Sequence, residues 1–339
     1  MTSVNPEKTR KELMLKASEI HSTPHAKVTV VGLGAVGMAG TYGMMIQGVA
    51  SELVLIEAEH MTDKLEGEVM DLQHGMTFCR NVNIVGGSDY SKTAGSKVCV
   101  VTAGLRQKEG QTRLELIQGN AQLFKKIIPE LVKYSPDCTL IIVSNPVDVL
   151  TWLAWKISKL PWQRVIGTGT MLDSSRFRYY VSDKLGVSPN SVHGYIIGEH
   201  GDSSVPVWSG LNVGGTRIVE ANPDIGTEKD DENWNLIHKD VVESAGTIIK
   251  KKGYTSWAIG TTISHLVHNI LKNTHSVLPL SINVKGLYGI KEDMFLSNPC
   301  VIGENGIEQI FKLRLNAEEQ SKLQKSADAI GEVMKGVKL

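Results

Sequence analysis

The sequence has no net charge, few cysteines and no apolar leader, and each lack removes a class of function. Its 36 Lys and Arg are matched by 36 Asp and Glu, and the pI is about 7.1. No basic excess exists to hold a polyanion, and the longest lysine run is Lys250 to Lys252. Nucleic-acid binding is therefore not expected as the main activity. The four cysteines, Cys79, Cys99, Cys138 and Cys300, are far apart and form no CxxC pair. That argues against a disulfide framework and a zinc site, and fits a reducing, cytosolic setting. Met1 to Ile20 is polar and charged, without the apolar core of a signal peptide.

What is present is an ordinary globular composition over 339 residues, 41% hydrophobic and 21% charged. That length suggests two domains. The 33 glycines, about 10% against a typical ~7%, point to turns or close backbone approaches. One stretch imitates a membrane span: Val28 to Ser51 carries no charge. It holds six glycines and opens on the β-rich Val28-Thr29-Val30-Val31, so it reads as a buried strand, loop and helix.

Residues 1–22 read as a separate helical arm, ended at Thr23-Pro24 because the residue before proline is pushed out of the helical region. Short apolar runs follow at Lys27–Val31, Leu53–Ile56, Val98–Thr102 and Thr139–Val143. Helix-compatible segments, notably Met61–Gln73 and Leu114–Tyr134, lie between them. Strands alternating with helices predict βαβ units and a parallel sheet. The second half offers Arg164–Gly167 and Ser191–Ile197 as strands, then a long helical region over Asn233–Leu271 broken at Gly253. The expectation is an α/β chain with an arm at 1–22, a doubly wound Rossmann domain at 23–167 and an α+β catalytic domain at 168–339.

Gly32-Leu33-Gly34-Ala35-Val36-Gly37 matches GxGxxG, a weak pattern alone but here placed between a predicted strand and a predicted helix. Gly32 would make the tight turn, Gly34 admit a pyrophosphate, and Gly37 let helix and strand pack. The helix N-terminus, at Ala35 and Val36, would take the phosphate charge. Glu57 ends the second strand, where an acid meets the adenine ribose hydroxyls and repels a 2′-phosphate, favouring NAD over NADP. The bland alternative is a packing turn followed by a solvated strand end.

These residues belong to a wider set: Val31–Gly37, Asp71-Leu72-Gln73-His74-Gly75, Thr102–Arg113, Val143–Asp148, Leu172–Arg178, Gly198–Ser204 and Lys252–Gly260. In that order, over most of the chain, they resemble the lactate/malate dehydrogenase family, and within it the animal-type L-lactate dehydrogenases. The resemblance implies a Rossmann domain, a catalytic domain and a homotetramer with the arm on a neighbouring subunit.

Hydride transfer between a secondary alcohol and nicotinamide needs a group that takes and returns a proton, and imidazole suits this near neutrality. His200, in a glycine-flanked loop, is the candidate. Asp173 is expected to orient it and stabilise its charged form, or simply to cap a helix from Ser174. Arg176, one turn beyond Asp173, is placed by the resemblance on the substrate carboxylate, as a bidentate grip that lysine could not reproduce. Gly104 to Thr112 reads as a mobile lid. By resemblance Arg106 meets the cofactor pyrophosphate, and Arg113 polarises the substrate carbonyl. Asn145, before a proline that is cis in similar enzymes, bonds the substrate oxygen and seats the nicotinamide. Thr255 forms a pocket wall by the same resemblance, or sits on a plain helix surface. Gln107 bears on substrate choice: similar malate dehydrogenases carry arginine there. A neutral glutamine would leave a second carboxylate buried and unpaired.

Three positions depart from the resemblance. Glu57 stands for aspartate, Met171 for asparagine, and Gly246 for a tyrosine after Glu243-Ser244-Ala245. The last predicts room for bulkier 2-oxo acids or a raised KM for pyruvate. The leading expectation is an NAD-dependent L-lactate dehydrogenase. The alternatives are a malate dehydrogenase, a broader 2-oxo acid reductase, or a non-catalytic NAD-binding sensor.

Overall fold

A computed structural model describes residues 26–105 and 113–337, with Arg113 and Leu114 by backbone alone. The expected arm at 1–22 lies outside the described residues.

The first half alternates strand and helix: β1 Lys27–Val31, α1 Ala35–Gln47, β2 Glu52–Ile56, α2 Thr62–His74, β3 Asn83–Gly87, β4 Val98–Val101, α3 Arg113–Tyr134, β5 Thr139–Ile142, α4 Val147–Ser158 and β6 Val165–Gly167. Their strands pair in parallel in the order β3-β2-β1-β4-β5-β6. β4 and β5 are buried along their whole length, as a sheet covered on both faces requires. Such strands appear in sequence as continuous apolar runs. β3 is the strand of this half that the sequence reading missed. It lies at the sheet edge, and Gly86 and Gly87 end it. A Cβ on Gly86 would fall 2.7 Å from a Val69 methyl, so α2 packs directly on bare backbone there. The strand order reverses between β1 and β4, which opens a crevice at their C-terminal ends.

The second half runs α5 Met171–Leu185, β7 Val192–His193, β8 Ile196–Ile197, β9 Val205–Pro206, β10 Asn212–Val213, β11 Thr216–Arg217, α6 Ile218–Ala221, α7 Asn235–Lys252, α8 Trp257–Leu271, β12 Ser276–Asn283, β13 Phe295–Gly303, β14 Gly306–Ile310 and α9 Ala317–Lys335. The strand expected over Ser191–Ile197 is two pieces in two sheets. β7 pairs with β10, and β8 with β9. The break falls at Gly194, where a Cβ would lie 2.6 Å from Leu211 and 3.0 Å from the Phe177 ring. The long helical region is divided at Gly253, which caps α7 in the left-handed conformation (φ 87°).

The sheet does not stop at residue 167. β12 joins β6 antiparallel, Ser281 against Gly167, and β13 and β14 follow, giving nine strands among the described residues. One large core surrounds this sheet. A second gathers Phe177, Trp208, Leu211 and Trp234, with the Phe177 and Trp208 rings edge-on at 4.9 Å.

The glycines of the uncharged run have a packing role. α1 crosses α8 at close range: a Cβ on Gly43 would meet the Ser264 hydroxyl, and one on Gly260 would fall 2.7 Å from the Ala39 backbone. Ser264 also donates to the Gly40 carbonyl at 3.3 Å. Among the described residues no helix is long and apolar enough to cross a membrane. All four cysteines are free thiols.

Candidate active site

The crevice above β1 and β4 continues into a cleft of about 1140 Å³ that runs from the glycine loop to His200. Its walls come from both halves of the chain. Gly32, Gly34, Glu57 and Asn145 line it from the first half, and Arg176, His200, Ile249 and Thr255 from the second.

At the first end, Gly32 has φ 91°, a value that strains any residue with a Cβ. Its carbonyl accepts the Thr102 hydroxyl at 2.5 Å. Gly37 packs so tightly that a Cβ would fall 2.0 Å from that same carbonyl oxygen, whereas a Cβ on Gly34 would find nothing within 4 Å. Two glycines are therefore required by the fold, and the third keeps open space at the cleft. Gly34 caps α1, whose first residues are Ala35, Val36 and Gly37. First-turn N–H groups have no intrahelical acceptor and suit an anion. Glu57 is not a solvated strand end. Its Oε2 accepts the Leu33 N–H at 2.6 Å, and its Oε1 that of Ala58 at 2.9 Å. These features fit a dinucleotide: a bare-backbone approach, a helix N-terminus and an acid at the tip of β2.

At the other end, three side chains from separate parts of the sequence converge. Asp173 Oδ2 lies 2.5 Å from His200 Nδ1, and Arg176 Nη1 lies 3.1 Å from Asp173 Oδ1. Asp173 is in the first turn of α5, which Thr170 precedes as the cap residue. The capping alternative for Asp173 therefore does not describe this chain. Burial alone would raise the Asp173 pKa, but the charge and hydrogen bond of His200, then those of Arg176, hold it below the normal carboxylate value. Burial pulls His200 down, yet Asp173 and then Asp148 outweigh it and lift the imidazole to about 9. About a quarter of the His200 side chain remains exposed, against 8% for Asp173. The imidazole thus faces the cleft while the acid behind it does not.

Between the two ends, the Asn145-Pro146 bond is cis. Asn145 lines the cleft at the tip of β5. Its carbonyl accepts from Asn120 Nδ2 at 3.4 Å, and Asn120 Oδ1 in turn accepts the Leu105 N–H at 2.8 Å. Thr255 is in the connection between α7 and α8, half-buried, and not on a helix surface. Arg113 opens α3; its side chain, like Arg106 and Gln107, lies outside the described residues. Met171 opens α5 and packs against the main core; nothing in the structure explains a methionine there. Gly246 is exposed within α7, between the cleft residues Ala245 and Ile249, with no atom within 4 Å of an added Cβ.

The sequence reading gave no role to Asp148 or Ser281. Asp148 is in the first turn of α4, three residues after Asn145, and is 2% exposed. It accepts the His200 backbone N–H at 2.8 Å and the Ser281 hydroxyl at 2.5 Å. An acid in an apolar helix start beside Asn-Pro was the available signal; Ser281, far along the chain, had none.

Comparison with known proteins identifies the family. The family model described as lactate/malate dehydrogenase, NAD binding domain, matches residues 26–167. The model described as lactate/malate dehydrogenase, alpha/beta C-terminal domain, matches residues 170–338. The L-lactate dehydrogenase A chain of Ambystoma mexicanum is 55% identical, over 93% of this chain and 94% of its own. The L-lactate dehydrogenase A chain of Columba livia is 55% identical over 94% and 95%, and that of Trachemys scripta elegans 54% over 96% and 98%. With both domain models matched in order and more than half of the residues shared along nearly the whole length, the chain belongs to the lactate/malate dehydrogenase family.

Proposed function

We propose that the chain is an NAD-dependent L-lactate dehydrogenase that interconverts pyruvate and L-lactate. The observation that carries this reading is the His200–Asp173–Arg176 cluster at one end of a cleft whose other end is a dinucleotide-type glycine loop. Nicotinamide, when bound in the cleft, would supply or accept the hydride. The remaining work belongs to side chains. Arg176 grips the substrate carboxylate, and Arg113 and Asn145 stabilise charge on the carbonyl oxygen as it becomes an alkoxide. His200 gives that oxygen its proton, and Asp173 holds the imidazole in one orientation and stabilises its charged form. Thr255 walls the substrate side. Gly32, Gly34, Ala35, Val36 and Gly37 hold the pyrophosphate together with Arg106, and Glu57 takes the ribose.

Gln107 supports pyruvate over oxaloacetate, because a second carboxylate beside a neutral amide in a closed site goes unpaired. The test compares kcat/KM for pyruvate and oxaloacetate with NADH. A preference of about a thousandfold for pyruvate supports the lactate reading. Comparable values favour a malate or broader 2-oxo acid activity, and NADH binding without turnover of either favours a non-catalytic sensor.

A homotetramer is part of the same proposal. Tyr42 and Ile46 on α1 and Trp257 on α8 are large apolar residues about half exposed or more, as expected of helices that meet another subunit. Light scattering that gives the mass of one chain would remove this part. The four free thiols support a reducing, cytoplasmic site of action.

A further inference from the structure

The backbone that carries His200 is fixed residue by residue, and each tie comes from a different element. Gly198 exchanges both backbone hydrogen bonds with Ser297 of β13, at 3.0 and 2.8 Å. The Glu199 N–H donates to Ser326 Oγ of α9 at 2.8 Å, and the His200 N–H donates to Asp148 Oδ2 of α4 at 2.8 Å. Only the third tie ends on a carboxylate. The other oxygen of that carboxylate receives the Ser281 hydroxyl of β12, and Ser281 itself is fully buried.

We propose that Asp148 is a positioning residue for proton transfer, setting both the height of the His200 loop above α4 and the charge environment of the imidazole. This inference rests on the role of His200 proposed above. A buried carboxylate is costly unless hydrogen-bonded. Here it takes two donors and sits in the first turn of a 12-residue helix, where the helix dipole favours negative charge. Its position links chemistry at two places: the helix it opens follows directly from cis Asn145-Pro146, and its donor is the backbone of His200. A shift of Asp148 would therefore move Asn145 and His200 together. The charged groups around the pair are Glu199 beside His200 in the loop, and Asp173 and Arg176 from α5. β12 contributes only the neutral Ser281. Two carboxylates, Asp173 at the ring and Asp148 behind the loop, thus favour the imidazolium, with Arg176 opposing.

Asp148→Asn separates charge from geometry. The amide oxygen can still accept the His200 N–H, and its NH2 can donate to Ser281 after the hydroxyl reverses. The expected result is NADH affinity within about twofold of wild type, with the basic limb of kcat/KM for pyruvate moved about half to one unit toward lower pH. An unmoved limb overturns the proposal, as does a loss of NADH affinity in step with turnover, which would mark a general scaffold role. If Asp148→Asn does not fold, Ser281→Ala decides. It removes one tie and keeps the charge, and a loss of about three- to tenfold in kcat/KM at unchanged NADH affinity is expected. Wild-type kcat/KM in that variant overturns the idea. Wild-type protein that fails to reduce pyruvate would instead refute the functional reading itself.

Discussion

Asp173 Oδ2 stands 2.5 Å from His200 Nδ1 across 27 residues of sequence, and this pair sets the pH behaviour of the site. The acid is held below its ordinary pKa and the imidazole is lifted to about 9. With His200 as the proposed proton donor for pyruvate reduction, kcat/KM for pyruvate should hold through neutrality and fall as pH rises through about 9. Lactate oxidation needs the neutral ring and should rise over the same range. Parallel pH–rate profiles in the two directions would show the limb to be mirrored; a pyruvate limb near the free-imidazole value of about 6.5 would refute the assignment.

The same pair links to stability. A histidine whose folded pKa is raised stabilises the fold fully below its unfolded pKa of about 6.5 and loses that contribution as pH rises through about 9. Asp173, lowered, acts in the opposite sense: its contribution is present above its unfolded value and is lost as pH falls below it. Asp173→Asn should therefore flatten the decline of Tm between about pH 6.5 and 9. The variant should also lower kcat for pyruvate by about a hundredfold or more, since an amide can hold the wrong tautomer. Thermal melts of both proteins across that window, without cofactor, check the first part. A decline of equal slope in the two would dismiss it.

The glycine loop makes a prediction in which fold and ligand separate. At Gly37 a methyl would meet the Gly32 carbonyl at 2.0 Å, and at Gly34 it would meet nothing. Gly37→Ala should lower Tm by several degrees and weaken NADH by about tenfold or more, because backbone must move. Gly34→Ala should melt as wild type and yet weaken NADH comparably, since on the proposed reading its Cβ would stand where the pyrophosphate approaches. Wild-type NADH affinity in Gly34→Ala would show that the dinucleotide does not pass that close.

Much of this was legible because it is local. β1, β2, β4 and β5 are continuous apolar runs, and the strand–glycine–helix junction at residues 31–37 has a fixed spacing. β3 was not legible, since an edge strand ending in Gly86-Gly87 carries too few side chains to give a pattern. β12 to β14 escaped for another reason: β12, which joins them to the sheet, pairs with β6 more than a hundred residues earlier, and only the assembled sheet shows the join at Ser281 and Gly167. His200, Asp173 and Arg176 could be named from motifs. Asp173 was expected there to orient the imidazole, with a helix cap as the alternative, and the contact that decides between the two is non-local. Asp148 shows the same limit: it lies within the Val143–Asp148 motif, and only the folded chain brings the His200 amide onto it.

Gly246 tests how far the wall of the cleft tolerates change. Glycine in the interior of an exposed helix costs about 1 kcal/mol relative to alanine, through backbone freedom lost on folding. Nothing lies within 4 Å of its missing Cβ, so Gly246→Ala adds no clash and should raise Tm by about 1–2 °C. Its neighbours Ala245 and Ile249 line the cleft, one residue before it and one turn after it. A large ring at 246 therefore has space to lean toward the substrate end, or toward bulk solvent. If it leans inward, Gly246→Tyr should improve kcat/KM for pyruvate and reduce it for 2-oxobutyrate and phenylpyruvate, the bulkiest losing most. If the ring turns to solvent, selectivity across the three acids will equal that of the wild type. The glycine would then be a stability cost without a specificity role.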